Sequence, residues 1–370
     1  MRGTSSNQRI VMTLDAGGTN FRFSAWRGNR PVTDTVLMPS HGDDLKRCLA
    51  NIVAGFTQVK RKCPKPPVAI SFAFPGPADY PNGIIGDLGN LPAFRGGVAL
   101  GPMLEHKFGL PVFINNDGDL FTYGEAIAGF LPHVNRLLEK AGSPKRYQNL
   151  FGITLGTGFG GGIVRQGELF LGDNSLAGEV WLLRNKLNPK MDAEEGACIR
   201  AVRRTYAEAA GISFEQSPDP KDIEAIALGK AAGHRAAAVE AYRRLGEVAG
   251  DALANALTLI DGLAVIGGGV SKGYRLFLPA LVAELNSSYT TPGGTKFRRL
   301  TAEAFNLEDP QQCQKFLKGK TRRLAIPGTK RKVAYDPSPR IGVGISRLGT
   351  SEAVAIGACA FALNKLDRAR

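Results

Sequence analysis

An α/β fold built from two similar halves is predicted by three features of this sequence. Short apolar runs alternate with stretches of helical spacing, the pattern of a sheet covered on both faces. A strand, a glycine-rich turn and a second strand at residues 9–26 recur in the same order at 149–166. At 370 residues the chain also exceeds the usual extent of one core, so two domains are expected.

Taken in order, residues 10–14 and 21–26 form a hairpin around Asp15-Ala16-Gly17-Gly18-Thr19-Asn20. Residues 43–60 are helical, with Leu45, Cys48, Leu49, Ile52, Val53 and Phe56 on one stripe. Residues 68–74 form a strand ended by Pro75-Gly76-Pro77, residues 98–108 a helix, and 111–115 a short buried strand; a further helix starts near Gly124. The second cycle has a strand at 149–155, the turn Gly156 to Gly162, and a strand at 163–166. Helices follow at roughly 194–211 and 218–260, then a strand at 262–266 ending in Gly267-Gly268-Gly269-Val270-Ser271, and a helix at 274–285. Residues 286–340 read as irregular and basic, and 350–370 as a helix rich in small residues. The domains expected are 1–120, joined by the C-terminal helix, and 121–349 carrying the basic insert. Two such halves would face each other across an interdomain cleft, a favoured place for a ligand.

Composition narrows the function classes. No run approaches the roughly 18 apolar residues of a membrane span, and the first eight residues lack the apolar core of a signal peptide. The five cysteines are odd in number and unpaired in spacing, as in reduced thiols, which points to the cytoplasm. Net charge is +14, and residues 296–340 supply twelve Lys/Arg against four acids, over half of the excess. A solvated basic surface accounts for this, as does attraction of a polyanionic nucleotide or an acidic partner. About ten residues precede the first strand, with no zinc-finger spacing or helix-turn-helix pattern, so specific DNA binding is not expected.

Three glycine turns, near 16, 156 and 267, each directly follow an apolar strand. One such turn is an ordinary hairpin; three in one chain are better explained by a bound nucleotide, because glycines let backbone N–H groups approach phosphates. Neither a Walker sequence nor a dinucleotide fingerprint is present, which argues against an NAD enzyme. Asp15, at a strand end, suits hydrated Mg²⁺. Ile114-Asn115-Asn116-Asp117-Gly118-Asp119 offers a carboxylate, Asp117, to take a proton from an attacking hydroxyl, and Asn116 to orient it. An Asn/Asp-rich turn held by its own side chains is the competing reading.

These motifs, with Pro75-Gly76-Pro77-Ala78-Asp79, Asn90-Leu91, Gly178-Glu179 and Leu348-Gly349-Thr350 in the same order, resemble the ROK family of sugar kinases and sugar-responsive repressors. The resemblance spans about residues 9–365 outside the basic insert. It implies two actin-like (ribonuclease H-like) α/β domains, ATP and Mg²⁺ as cofactors, and a homodimer. By resemblance Asp117 is the catalytic base, and Gly76, Asn90, Asn116 and Glu179 bind sugar. Gly17, Gly18, Thr19, Thr157 and Gly158 surround the phosphates, Asp15 lies near Mg²⁺, and Gly268 lies by the adenosine.

The departures concern the sugar side. Where family members carry Gly-Glu-Ile-Gly-His, this chain has Gly178-Glu179-Val180-Trp181-Leu182, so the zinc-binding histidine is replaced by Leu182. The cysteine-rich zinc loop is reduced to Cys198, and Arg200 stands where a Glu is expected; one cysteine makes no tetrahedral site, so zinc is predicted absent. Packing of Trp181 and Leu182 would then replace the metal. Arg200 either points to solvent or meets a derivatised or acidic sugar, and Glu194 or Glu195 could replace the lost carboxylate. The expected function is ATP-dependent phosphorylation of a sugar hydroxyl, the alternative being a non-catalytic sugar-sensing regulator of the same fold.

Overall fold

A buried strand at residues 11–16 pairs with a strand at 20–27 whose first residues alternate between exposed and buried, closing the first hairpin as expected, and the rest of the chain builds outward from it. The computed structural model describes residues 8–17, 19–76, 78–86 and 92–369. In chain order the elements are β1 (Val11–Ala16), β2 (Asn20–Arg27), β3 (Arg30–Pro31), β4 (Val36–Pro39), α1 (Leu45–Lys62) and β5 (Ala69–Ala73). Next come β6 (Ala78–Asp79), β7 (Ile84–Ile85), α2 (Leu100–Phe108), β8 (Val112–Asn115), α3 (Asp117–Ile127) and α4 (Phe130–Lys140). These are followed by β9 (Leu150–Leu155), β10 (Phe159–Arg165), β11 (Glu168–Leu169), α5 (Ile199–Ala210), α6 (Pro220–Ala227), α7 (Arg235–Ile260), β12 (Leu263–Gly267) and α8 (Tyr274–Leu285). The chain ends with β13 (Ser288–Thr290), β14 (Lys296–Arg298), β15 (Glu303–Asn306), α9 (Pro310–Lys318), β16 (Arg322–Ala325), β17 (Lys332–Tyr335), β18 (Arg340–Ile345) and α10 (Thr350–Arg368).

These elements gather into two compact units: residues 1–129, 162–178 and 348–370 form one, and 130–161 with 179–347 the other. The first unit has a sheet ordered β3-β2-β1-β5-β8, with β4 also on β2. The β1–β5 and β5–β8 pairs are parallel and β1–β2 is antiparallel. One face is covered by α1, whose Cys48, Ile52, Phe56 and Val59 are buried and whose start is capped by Asp44 accepting from the Arg47 N–H at 3.1 Å. The rings of Phe23, Phe56, Phe72, Phe74 and Phe94 follow one another with centroids 5.0–6.2 Å apart, each fully buried. Burial of each such ring stabilises the fold by roughly 2–3 kcal/mol.

The opposite face is covered by α10, which also packs on α3. That contact is very close. A Cβ on Gly124 of α3 would stand 1.9 Å from the Ala353 carbonyl oxygen, and one on Gly357 of α10 would stand 2.0 Å from that of Leu120. Only glycine permits this approach, and it seats the helix that begins with Asp117.

In the second unit β9, β12, β18 and β15 form a run of parallel neighbours. Long apolar helices α7 and α8 pack against each other beside it. The expected helix at 218–260 is in fact two helices, α6 and α7. They are separated by a connection holding Gly229 at φ +71° and Gly233 at φ +150°, conformations that helical backbone excludes. The helix expected from Gly124 begins seven residues earlier, at Asp117.

Residues 286–340 are not irregular. They contain the hairpins β13–β14 and β16–β17, helix α9, and the sheet strand β15, which gains its order from the distant β18. The basic charge is also less superficial than its count suggests. Arg340 is buried in an ion pair with Asp336, both side chains 2 % exposed, and Arg299 pairs with Asp251 at 2.7 Å. Among the described residues no helix is long and apolar enough to cross a membrane.

Candidate active site

Parallel strands bring side chains that are distant in sequence to one sheet edge, and in the first unit that edge carries the chemistry. The register Asp15↔Ala73 and Ala73↔Asn115 lines up the ends of β1, β5 and β8. Gly17 and Thr19, the Pro75-Gly76 turn, and Asn116 with Asp117 all follow directly from these ends. The Gly17 N–H donates to the Asp15 carbonyl at 3.2 Å, and the Ser40 N–H to the Thr19 carbonyl at 3.0 Å, so the first turn is tied back to β1 and β4. Tyr80 donates its hydroxyl to the Phe74 carbonyl at 3.0 Å beneath Gly76. Gly18 and Asn90 lie outside the described residues.

Asn116 and Asp117 are a helix start as well as an Asn/Asp turn. Asn116 is the cap of α3 and accepts from the Gly118 N–H at 2.7 Å, and Asp117 Oδ1 accepts from the same N–H at 2.9 Å. Carboxylates in a first helical turn are favoured by the helix dipole. Asp117 is exposed at the surface of the first unit, with protein packed close enough around its carboxyl to desolvate it in part. That desolvation raises its pKa above the ordinary carboxylate range; hydrogen bonds from backbone N–H groups oppose the rise, and the charge of Asp15 adds to it. The site therefore holds a carboxyl with heightened proton affinity.

Asn115, beside this pair, is absent from the residues the sequence singled out. It is 2 % exposed, and its Nδ2 is buried with no hydrogen-bond partner among the described residues. Its place at the end of a short strand before Asn116-Asp117 is the signal that could have found it. A cavity of about 270 Å³ on the same unit is lined by Thr13, Asp15, Arg22, Ser24, Ser351 and Glu352 among others.

The second unit holds the other two turns side by side. Register Gly267↔Thr154 places the end of β12 next to the end of β9. Gly268 has φ +88°, and a Cβ there would lie 2.2 Å from the Leu155 carbonyl oxygen. Ser271 Oγ closes this turn by donating to the Gly268 carbonyl at 2.7 Å. Thr157 and Gly158 sit at the tip of the neighbouring turn, with Thr157 exposed. The structure thus brings Thr157, Gly158 and Gly268 together in one unit, and Asp15, Gly17, Thr19, Gly76, Asn116 and Asp117 at one sheet edge in the other.

Glu179 belongs to the second unit, where its carboxylate accepts from the Trp181 indole N–H. Leu182 is 60 % exposed, so packing of Trp181 together with Leu182 does not replace the metal. Trp181 instead fixes Glu179. Cys198 is buried, and burial raises its thiol pKa. Among the described residues no group of three or more His, Cys, Asp or Glu side chains is disposed to hold a metal ion. Arg200 does not simply point to solvent. Its guanidinium reaches Glu194 and Glu195, each at 2.9 Å, and donates to the Thr157 carbonyl at 3.1 Å.

Comparison with known proteins agrees with this arrangement. The profile of the ROK family matches residues 11–306. A crystal structure of glucokinase from Parabacteroides distasonis is 53% identical, covers 98% of this chain and 99% of its own, and superposes with a TM-score of 0.88. N-acetyl-D-glucosamine kinase of Photobacterium profundum is 30% identical over 293 residues, 73% of this chain and 88% of that protein. A ROK glucokinase from Streptomyces griseus, solved with glucose and AMPPNP, shares the fold at 20% identity and a TM-score of 0.60, covering 95% of this chain and 98% of its own. The α/β architecture is the two-domain, actin-like one of these sugar kinases. With the profile spanning most of its length, the chain belongs to the ROK family.

Proposed function

We propose that this protein is an ATP-dependent kinase that phosphorylates a hydroxyl of a hexose or hexose derivative, with Asp117 as general base. The observation that carries the reading is the sheet edge that sets Asp117, with its raised proton affinity, among Asn116, Gly76 and Asp15. A base must be ionised to act yet hold a proton well once it takes one, and desolvation moves a carboxylate toward the second requirement. Asn116 Oδ1 is committed to the Gly118 N–H, which orients its Nδ2 group for a sugar hydroxyl. Gly76 offers backbone to the same acceptor, Asn90 lines the sugar site by family resemblance, and Glu179, fixed by Trp181, accepts from further hydroxyls.

The residues fit a nucleotide and a hydrated Mg²⁺. The buried Nδ2 of Asn115, without a partner among the described residues, is a donor that a phosphate oxygen or ordered water would satisfy, and Asp15 is an oxygen ligand suited to Mg²⁺ through water. When bound, the cation neutralises charge on the transferring phosphoryl group. Gly17, Gly18, Thr19, Thr157 and Gly158 then line the phosphates with backbone, and Gly268 admits the adenosine. Phosphoryl transfer of this kind depends mainly on positioning and charge neutralisation, which these turns supply.

Relatives named glucokinase and N-acetyl-D-glucosamine kinase make glucose and N-acetylglucosamine the first acceptors to test. A coupled ADP-release assay across hexoses, amino sugars and N-acetyl sugars should show sugar-dependent release with at least one. ADP release that no sugar stimulates would refute the assignment. We infer further that the protein is a soluble homodimer without a structural zinc; sedimentation and metal analysis of the purified protein test both points.

A further inference from the structure

The turn at residues 156–159 is gripped by one short segment of chain. Three backbone groups of that turn are engaged from residues 194–200. The Gly156 carbonyl accepts from the Ile199 N–H at 2.8 Å, the Thr157 carbonyl from Arg200 at 3.1 Å, and the Phe159 N–H donates to Glu194 at 2.9 Å. The Arg200 and Phe159 contacts flank Gly158, the residue between them. Local order alone does not require this: Glu194 lies in a 3-10 turn and Arg200 in the first turn of α5, and the two meet across the Cys198 cap.

The grip is also electrically closed. Arg200 joins Glu194 and Glu195, and Arg204 joins Glu195 at 2.8 Å. Two acids and two cations balance, so the group brings no net charge to the turn. One nitrogen meets two carboxylates and another the Thr157 carbonyl, although the side chain stays 44 % exposed. A planar fork engaged at several points is held far more rigidly than a lysine ammonium would be. The cation that replaces an expected glutamate is therefore directed at the phosphate turn, away from the role of meeting an acidic acceptor.

We propose that Glu194 and Arg200 are positioning residues that hold the 156–159 turn in the shape that receives the ATP phosphates, and that Arg200 does not contact the sugar. This rests on the kinase reading above. Steady-state kinetics of Arg200→Ala, Arg200→Lys, Glu194→Ala and Glu194→Gln provide the test, with hydrogen–deuterium exchange over the turn in the nucleotide-free protein. Loss of a charge-assisted hydrogen bond corresponds to about a tenfold effect or more, so the two alanine variants should raise KM for ATP roughly 10-fold and lower kcat. KM for the sugar should change by less than about twofold, since neither side chain is assigned a sugar contact. Glu194→Gln, which keeps an acceptor for the Phe159 N–H, should recover much of the loss seen in Glu194→Ala, whereas Arg200→Lys should recover little.

In the nucleotide-free protein the amides of residues 156–160 should exchange faster in both alanine variants. A rise in sugar KM with ATP KM unchanged would overturn the proposal, as would unchanged exchange over the turn. The exchange measurement needs no activity. If the wild type releases no ADP with any sugar, the kinase reading fails while the grip on the turn is still judged by exchange.

Discussion

Substituting Gly268→Ala probes the most constrained point of the nucleotide side. Its φ of +88° with ψ 166° is open only to glycine, and the new Cβ would sit 2.2 Å from the Leu155 oxygen and 2.6 Å from the Leu155 carbon and nitrogen. Those neighbours are backbone within the sheet, so no flexible side chain can yield. Backbone strain of about 1–3 kcal/mol and overpacking of a similar size combine to roughly 2–5 kcal/mol. For a unit of this size that lowers the Tm by on the order of 10 °C. Because Leu155 leads directly into Gly156, relief by moving β9 displaces the phosphate turn, and KM for ATP should rise in the same variant. Gly269→Ala is the matched control: nothing lies within 4 Å of its added Cβ and its φ is not positive, so its effect should stay within about 0.5 kcal/mol. Thermal melting read by circular dichroism, with urea unfolding for the free energy, makes the comparison. A Gly268→Ala protein melting within 1–2 °C (about 0.5 kcal/mol) of wild type would refute the placement of this turn against Leu155.

Further expectations concern the base and the buried charges. Asp117→Asn should lower kcat by about 10²–10⁴-fold while sugar binding by calorimetry survives, because only proton acceptance is removed. The raised pKa of Asp117 means that its stabilising contribution exists at low pH and is lost as pH rises through the folded value, so Asp117→Asn should be at least as stable as wild type at pH 7 in urea unfolding. For the same reason kcat/KM of the wild type should fall on acidification at a pH above the ordinary carboxylate range. Arg340→Leu leaves Asp336 buried without its partner and should cost about 3–5 kcal/mol by denaturant unfolding. Burial opposes ionisation of Asp336, but Arg340 and backbone N–H bonds outweigh it and lower the pKa, so this pair's contribution is present above the unfolded pKa and lost as pH falls through the folded one. The exposed β16–β17 hairpin should tolerate Arg322→Glu with Arg323→Glu within about 0.5 kcal/mol, and kcat/KM should not change.

Local chemistry made most of the strand-to-turn elements that carry the candidate site readable from residues alone. An apolar strand running into glycine marks a turn wherever it occurs, so β1, β9 and β12 and the turns after them were expected close to where they lie. Asn116-Asp117 was expected at a strand end; the helix it opens was not, although an Asn followed by acids in a first turn is itself a start signal. The strand β15 and the two hairpins at 286–340 escaped because their segments are three or four residues long, too short for periodicity.

By itself the sequence determined the α/β class, the three glycine turns and the carboxylates, since each follows from the character of a few adjacent residues. Tertiary structure alone decided which groups meet. It aligned Asp15 with Asn115 across β5, set Gly268 against Leu155, returned residues 162–178 to the first unit, and directed Arg200 to its own glutamates and the Thr157 carbonyl. Parallel pairing and side-chain direction are set by contacts between segments far apart in the chain, and no local pattern encodes the partner.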